Sequence, residues 1–371
     1  MQSSLSLLNI NTMASMYSNN NDADIDWDKL PQIENVRINY TDSKHALPGQ
    51  GPYSYTYKVN KGYKDPRFPN RIPVRQRYSD TVRHMMTIYD ARAVKEQLKL
   101  DTFGMQIEDH FTTLSTNDFY TNLTKIQDVY YQEMREFVQA STGADKVVVF
   151  DHNVRNLQMA KESRRKGVDN YKIGRPERKE SANEVVSPAA GYARLAHNDY
   201  TTLSAPNRIR DLSKKSGEGG SYTLKDGTVI DPNEVEKLLN GRYIFINVWR
   251  NISETPIQKD PLGICASPSI SDHDFIGSDL VYEDRVGQTY AVKHSDSHKW
   301  FYVSELRKNE AILLKCYDSN EHVARWTAHT SFAIPSTIGK ELPPRESIET
   351  RCIAFFYDKD ASVASIPTSK L

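Results

Sequence analysis

The stretch LAHNDYTTL, residues 195–203, contains a histidine and an aspartate two positions apart, His197 and Asp199. On a β-strand, side chains alternate between the two faces, so this spacing places both groups on one face. A neighbouring imidazole and carboxylate can bind a divalent metal, and a third ligand from another strand completes a facial triad with open positions. His329, in the alternating stretch RWTAHTSF, supplies that third ligand.

A second group of metal-binding residue types lies in KHSDSHKW, which contains His294, Asp296 and His298. This stretch lies between two predicted strands and is rich in Ser and Lys, which is typical of an exposed turn. We interpret it as a solvated loop. The residues alone leave a surface zinc or nickel site as the alternative.

The composition narrows the class of protein. The 371 residues contain 48 basic and 48 acidic side chains, so the formal net charge is zero. This balance argues against a nucleic-acid or anionic-membrane partner. No apolar run approaches the roughly 20 residues that a membrane helix needs. The three cysteines lack a CxxC spacing, which fits a reducing compartment and predicts the cytosol.

Short β-type runs dominate the sequence after residue 190. One helix is predicted over NDFYTNLTKIQDVYYQEMREFVQAST, which Gly143 ends, and the run VVVF after it predicts a buried strand. Serial strands with few intervening helices indicate a sandwich or jelly roll. The strand candidates are GYARLAHND, RYIFINVWRNI, LVYEDRVGQTYAVKH, KWFYVSEL, EAILLKCYDS, ARWTAHTSFAI and SIETRCIAFFYD.

Several phrases, in order from about residue 85 to 357, resemble one family. They are IYDARAVKEQLKLDTFG, VYYQEM, TGADKVVVFDHNVR, AHNDYT, YIFINVWRNI, PLGICASPSI, KWFYVSEL, LLKCYDS, AHTSFAIP and PRESIETR. Together they resemble the fungal hydroxylase/desaturase group of iron(II)- and 2-oxoglutarate-dependent oxygenases. Gibberellin desaturase-like enzymes and the cephamycin 7α-methoxylase component are similar to this group.

The resemblance implies a mainly β fold with flanking helices and a double-stranded β-helix core of the jelly-roll or cupin type. It also implies that His197, Asp199 and His329 bind iron(II) and form the catalytic centre, with 2-oxoglutarate and O2 as co-substrates. Hydroxylation, desaturation or oxidative cyclisation of a small secondary metabolite or amino-acid-derived substrate is the implied activity. Neither the substrate nor the oligomeric state follows from the sequence.

The far carboxylate of 2-oxoglutarate is expected to meet an arginine near the last core strand, since guanidinium and carboxylate pair in a bidentate manner. PRESIETR offers two, Arg345 and Arg351. They are about 20 Å apart along an extended strand, so both cannot bind one carboxylate. Arg345 begins an Arg-x-Ser arrangement with Ser347, whereas Arg351 lies deeper in the strand. We favour Arg351 from the sequence, with Arg345 as the alternative.

The phrase NVWR adds further candidates. Asn247 and Trp249 share one strand face, so Asn247 is expected to donate a hydrogen bond to 2-oxoglutarate and Trp249 to line the substrate pocket. The alternative is a buried tryptophan with a capping arginine. Ile353 and Phe355, on the last strand, are the other pocket candidates. The phrase FDHNVR, with Asp151, is interpreted as a structural polar cluster.

The predicted organisation is a flexible tail over residues 1–25 and a single oxygenase domain over 26–371. Within the domain, residues 26–145 form N-terminal arms and helices, and 146–360 form the double-stranded β-helix core with a loop insertion at about 153–185. Two other functions use the same triad. One is a metal-dependent hydrolase or lyase acting through metal-activated water, and the other is a non-catalytic jelly-roll binding protein.

Overall fold

The computed structural model describes residues 25–42, 53–57, 81–165, 191–215, 229–281 and 286–358. The predicted tail therefore lies almost wholly outside the described residues, as does the part of the predicted insertion from residue 166. The strands are β1 (Gln32–Thr41), β2 (Tyr53–Tyr57), β3 (Thr81–Asp90), β4 (Met105–Asp109), β5 (Lys146–Asn156), β6 (His197–Asn198), β7 (Arg242–Asn251), β8 (Leu262–Cys265), β9 (Phe275–Val281), β10 (Val286–Val292), β11 (Trp300–Tyr302), β12 (Glu310–Asp318), β13 (His329–Ser331) and β14 (Glu346–Phe356).

These strands form two sheets. The larger has nine strands in the order β1-β3-β11-β8-β13-β6-β10-β9-β2, and the smaller has five in the order β4-β12-β7-β14-β5. Pairing is antiparallel except between β3 and β11 and between β2 and β9. The two sheets enclose a common core, which confirms the predicted jelly roll. Part of the predicted N-terminal arms belongs to this sheet, because β1 and β3 pair from Gln32–Tyr89 to Thr41–Thr81 at one side of the larger sheet, with a register shift between Ile33 and Val36.

Strand alternation decides which side chains line the space between the sheets. On β7, Phe245 and Trp249 belong to the buried cluster that also contains Ile264 of β8 from the opposite sheet. Ile246 and Val248 belong to a second buried cluster on the outer face of the smaller sheet. Because β7 is central and covered on both faces, all ten of its residues are buried.

Helices cover the outer face of the smaller sheet. Met134 and Phe137 of α4 pack in the same cluster as Ile246 and Val248. Among the described residues no helix has the length and apolar character required to cross a membrane. The helices are α1 (Leu100–Phe103), α2 (Asp118–Thr121), α3 (Leu123–Lys125), α4 (Tyr131–Thr142), α5 (Leu157–Arg165), α6 (Ser204–Asp211) and α7 (Val235–Asn240).

The predicted long helix is present but interrupted. It is divided into α2, α3, a π-helical turn over Ile126–Tyr130, and α4. Gly143 ends it in the left-handed conformation with φ 69°, as expected for a glycine cap. The wider π turn changes the angular spacing of the side chains. Val129, at a position that an uninterrupted α-helical period would bury together with Ile126, is 37% exposed.

Two sequence predictions about element bounds are wrong. The predicted insertion begins at residue 153, whereas β5 continues to Asn156 and α5 follows directly. Pairing with β14 as far as Glu346 stabilises this extension of β5 despite its polar sequence. The strands that carry the metal-binding residues are shorter than predicted, since β6 has two residues and β13 has three.

Candidate metal centre

The two candidate histidines are brought together by neighbouring strands of the larger sheet. β6 and β13 pair antiparallel, with His329 opposite His197, and the ring centroids are 4.4 Å apart. One ligand atom from each of His197, Asp199 and His329 lies within 4.8 Å of the others, and the described residues contain no second group of this kind. The predicted triad therefore converges on one point.

The ring of His197 is oriented by a local hydrogen bond. Its Nδ1 lies 2.7 Å from the carbonyl oxygen of Leu195, so Nδ1 carries the proton and donates. Nε2 is then the atom free to bind a metal, which is the arrangement typical of metal-binding histidines. Nε2 lies 3.7 Å from Oδ1 of Asp199.

The carboxylate of Asp199 uses its two oxygens differently. Oδ2 accepts from Nδ2 of Asn247 at 2.9 Å and from Nε and Nη2 of Arg351, each at 3.1 Å. Oδ1 is the oxygen that faces His197. Burial disfavours the charged carboxylate, but Arg351, the two histidines and Asn247 outweigh it and lower the pKa of Asp199. The residue is therefore an anion at neutral pH.

Arg351 is surrounded by carboxylates. Besides Asp199, it contacts Asp151 through Nη1 at 3.3 Å and Glu349 through Nη2 at 2.7 Å. Burial opposes its charge, but Asp199, Glu349 and Asp151 more than compensate and raise the pKa of Arg351. Its donors are therefore already engaged by side chains of the protein.

His329 has the burial and the pKa that are expected of a metal-binding histidine. It is 2% exposed, and its buried Nδ1 has no hydrogen-bond partner among the described residues. Burial, followed by the neighbouring His197, lowers the pKa of His329 to about 3. The imidazole is thus neutral at physiological pH, which is the form that binds metals.

Arg345 lies in a different environment from Arg351. Its Nη1 donates to the carbonyl oxygen of Asp260 at 2.7 Å and to Oγ of Ser331 at 3.2 Å. Its guanidinium carbon is 4.0 Å from the ring centroid of Tyr192 and 5.3 Å from that of Trp249. No ion pair joins it to a carboxylate of the described residues, and burial lowers the pKa of Arg345 to about 9.

Unused polar atoms accompany this arginine. Within the described part of the chain, Nε of Arg345 and Oγ of Ser347 are buried and have no hydrogen-bond partner. Buried polar atoms without partners are rare in folded proteins and call for a water, an ion or a ligand. Arg345 and Ser347 therefore have the character of a site for a polar ligand.

The candidates for the substrate pocket are all interior residues. Trp249, Ile353 and Phe355 are buried in the cluster between the sheets. Trp249 contacts Arg345, as described above. Ile353 pairs with Phe245 and Phe355 with Tyr243 along β14 and β7, so both lie on the aromatic side of the core.

Two candidates are placed differently from the sequence interpretation. The side-chain amide of Asn247, expected to donate to 2-oxoglutarate, donates instead to the metal-binding residue Asp199. His298 contacts Tyr40 at 3.2 Å and Asp274 at 3.1 Å, and so does not join His294 and Asp296 in a metal site. The three belong to no convergent ligand group in the described residues, but His298 is only 3% exposed, so the interpretation as a solvated loop is wrong for this residue.

Glu349, Ser331 and Tyr192 were not singled out from the sequence, whereas Asp151 was interpreted as part of a structural polar cluster. Asp151 and Glu349 contact Arg351, while Ser331 and Tyr192 contact Arg345. The phrase FDHNVR does not form one cluster, because Asp151 faces the interior whereas His152 contacts Tyr131 of the covering helix. The signal for Glu349 was available, since it shares the strand face of Arg351.

The donor set fits iron(II). Two imidazoles from adjacent strands and the carboxylate that follows one of these strands form a facial triad, which binds iron(II) in oxygenases and leaves coordination positions for other ligands. These residues bring one ligand atom each to within 4.8 Å of the others, which is the convergence that a shared cation requires.

Comparison with known proteins agrees with this geometry. A family model described as an oxidoreductase/YMDC permease-like domain matches residues 38–355. Alpha-ketoglutarate-dependent dioxygenase tstK of Talaromyces stipitatus is 28% identical over 73% of this chain and 84% of its own length. Hydroxylase/desaturase CTB9 of Cercospora beticola is 28% identical over 86% of this chain and 91% of its own.

A solved structure supports the fold. The iron and alpha-ketoglutarate-dependent endoperoxidase NvfI superposes with a TM-score of 0.61 at 20% identity, over 88% of this chain and 98% of that one. The predicted resemblance is thus confirmed over most of the sequence. The chain belongs to the family of fungal iron(II)- and 2-oxoglutarate-dependent dioxygenases and hydroxylase/desaturases.

Proposed function

We propose that this protein oxidises an unactivated C–H bond of a small secondary metabolite or amino-acid-derived substrate, by hydroxylation, desaturation or ring closure. The observation that carries the proposal is the convergence of His197, Asp199 and His329 within 4.8 Å. Iron(II) bound there, with 2-oxoglutarate, supplies the means of activating O2 for hydrogen abstraction. The chain's own residues bind and orient the reactants.

We assign the far carboxylate of 2-oxoglutarate to Arg345 and Ser347. Ser331, which accepts from Arg345, lies two residues after His329 on β13. Residues two apart on a strand share a face and are about 7 Å apart. A five-carbon dicarboxylate that chelates the metal through one end spans a gap of this order. The unpartnered Nε and Oγ would then bind its other end.

Arg351 is the weaker candidate for this role, although its depth in the strand favoured it from the sequence. Asp199, Asp151 and Glu349 already neutralise its charge, so its guanidinium does not need a bound carboxylate. It also touches Asp199 directly, so it lies too close to the metal-binding atoms to hold the distant end of the co-substrate. Both arguments support Arg345.

Trp249 is proposed as a wall of the reaction chamber. Its contact with the Arg345 guanidinium places it near the co-substrate end of the centre. Ile353 and Phe355 are proposed to support the apolar part of the pocket from the strand that carries Arg351. These roles rest on their burial and strand face.

The alternatives are not favoured. A hydrolase needs a free base beside the metal-bound water, whereas Asp151 and Glu349 are both tied to Arg351. A non-catalytic binding protein has no need for three intact ligands around one point. The relatives named above are dioxygenases and hydroxylase/desaturases.

A single catalytic domain over residues 26–371 and a cytosolic location remain part of the proposal. The cluster between the sheets draws on side chains from Val36 to Phe355, which supports one folding unit. All three cysteines, at positions 265, 316 and 352, are buried and unpaired. Free thiols are typical of proteins in a reducing compartment.

The activity is tested with purified protein, iron(II), 2-oxoglutarate and O2, incubated with metabolites made by enzymes encoded beside its gene. The expected result is succinate formation coupled to a product that has gained one oxygen atom or lost two hydrogen atoms. Asp199→Ala should abolish both. Product formation that proceeds equally without 2-oxoglutarate would contradict the proposal.

A further inference from the structure

We infer that Arg351 and Asn247 are positioning residues that hold Asp199 as a one-oxygen metal ligand, with Oδ1 towards the metal and Oδ2 turned away. The inference rests on the proposed function. In this role the two residues do not bind 2-oxoglutarate, and they do more than pack in the core.

The hydrogen bonds distinguish the two oxygens of Asp199. Three N–H groups converge on Oδ2, two from Arg351 and one from Asn247, at 2.9 to 3.1 Å. A carboxylate oxygen that accepts several charge-assisted hydrogen bonds is already stabilised. Oδ1 is the oxygen directed at Nε2 of His197, 3.7 Å away, where a shared cation would lie.

The two donors are neighbours built into the sheet. Arg351 on β14 and Asn247 on β7 are opposite each other in the antiparallel register, and both side chains face the interior. Asp199 follows β6 of the opposite sheet, so the hydrogen bonds cross the space between the two layers. The carboxylate is therefore held by the rigid centre of the smaller sheet.

Two further carboxylates fix Arg351 itself. Asp151 on β5 approaches Nη1, and Glu349 on the same strand as Arg351 approaches Nη2. The guanidinium is thus held from three directions and presents its Nε and Nη2 edge to Asp199. This arrangement explains why acidic residues lie beside a metal centre without serving as ligands.

The chemistry depends on the number of open metal positions. Two histidines and a one-oxygen aspartate occupy three positions of an octahedral iron(II) and leave three, of which 2-oxoglutarate takes two. A carboxylate that binds through both oxygens would occupy one more position. Holding Oδ2 away from the metal therefore preserves the position that the third reactant needs.

The test uses Co(II) as a spectroscopic substitute in the full-length protein with 2-oxoglutarate, in the wild type, Asn247→Ala and Arg351→Lys. Crystal structures of the Co(II) forms give the Oδ2–metal distance, and titrations give the Co(II) dissociation constant. In the wild type, we expect Oδ1 at about 2.1 Å and Oδ2 outside bonding distance. Each variant should weaken Co(II) binding about tenfold or more and change the visible spectrum.

Matched controls separate this role from general stability. Asn251→Ala removes a buried amide from the same strand, where it donates to the carbonyls of Thr255 and Leu306 and accepts from the backbone N–H of Ser253. Arg242→Lys alters a buried arginine that contacts Asp101 and Asp318. Both controls should lower the melting temperature while leaving Co(II) affinity within about twofold and the spectrum unchanged.

A wild-type structure with both Asp199 oxygens bound to Co(II) would overturn the inference. An Asn247→Ala variant with the Co(II) affinity and visible spectrum of the wild type would also overturn it. If Arg351→Lys does not fold, the Asn247→Ala variant alone decides the test. Failure of the proposed function has a different signature. In that case Co(II) binds through Oδ1 with the expected dependence on Asn247, but 2-oxoglutarate does not alter the spectrum.

Discussion

Arg345 donates a hydrogen bond to Oγ of Ser331 at 3.2 Å, and this bond connects the segment before β14 to the strand that carries His329. It places a buried guanidinium, which has no carboxylate partner among the described residues, near the metal-binding triad. The hydrogen bond between Arg345 and Ser331 thus connects the proposed 2-oxoglutarate-binding residues to the metal-binding residues. Four predictions follow from this and other contacts.

Replacing Arg345 should weaken 2-oxoglutarate binding selectively. Arg345→Gln removes a charged partner worth about 2 to 3 kcal/mol, so the KM for 2-oxoglutarate should rise about 30- to 150-fold. Ser347→Ala removes a neutral donor to the same carboxylate and should raise this KM less, by about tenfold. Steady-state succinate formation measures both effects. Unchanged Co(II) affinity in Arg345→Gln is the internal control, and an unchanged KM would reject the assignment.

Metal binding should stabilise the fold through His329. A ligand at 100 times its dissociation constant adds about 2.7 kcal/mol of stability, so iron(II) under anaerobic conditions should raise the melting temperature and a chelator should reverse it. His329→Ala should lose this response because it removes one of three ligands. His294→Ala, in the loop that forms no metal site, should retain it. A response lost only in His294→Ala would mean the metal binds elsewhere.

Acid should destabilise the protein partly through His152. Burial, with a smaller contribution from Arg351, lowers the pKa of His152 from 6.5 to about 4. Because the unfolded chain binds this proton more readily than the folded protein does, the neutral His152 contributes to the free energy of unfolding. This contribution is complete above pH 6.5 and is lost as the pH falls towards 4. A shift of this size corresponds to about 3 kcal/mol.

Urea unfolding at pH 7.5 and pH 5 tests this linkage. His152→Gln should reduce the loss of stability between the two pH values, because glutamine does not titrate. His322→Gln, at an exposed position, should show the full wild-type loss. An identical pH dependence in wild type and His152→Gln would exclude His152 as the source.

A buried ion-pair group away from the metal should contribute to stability and not to ligand binding. Asp318 accepts from Arg242 and Lys315, each at 2.6 Å, and all three side chains are fully buried. Asp318→Ala leaves two buried cations with one fewer carboxylate, which should cost about 3 to 5 kcal/mol. Denaturant unfolding measures the loss. A normal KM for 2-oxoglutarate in the folded fraction is the expected control, and a stability within 1 kcal/mol of wild type would contradict the prediction.

Strand periodicity predicted the triad because spacing along a strand determines the face of a side chain. It placed His197 and Asp199 on one face and indicated His329, in an alternating strand pattern, as the third ligand; the resemblance then implied that all three bind iron(II). Periodicity does not determine how far a residue lies from the metal-binding residues along its strand, nor which residue of the opposite sheet it contacts. Arg345 and Arg351 therefore could not be separated until their contacts were known, and the engagement of Asn247 with Asp199 crosses between sheets that the sequence does not align.

Local sequence likewise misjudged several element bounds. The polar residues from 153 to 156 resemble a loop, yet β14 supplies the backbone partners that hold them as a strand. The π turn in the long helix exposes Val129, which an uninterrupted period would bury. In both cases tertiary contacts or irregular geometry override the local pattern.

The central claim is tested most directly by an anaerobic titration of the protein with iron(II) and then 2-oxoglutarate, followed by visible absorption. A weak charge-transfer band should appear only after both are added, because it requires the co-substrate to chelate the metal. His329→Ala should show no band at the same concentrations. A band of undiminished intensity in His329→Ala, or none in a wild-type protein saturated with both ligands, would contradict the account.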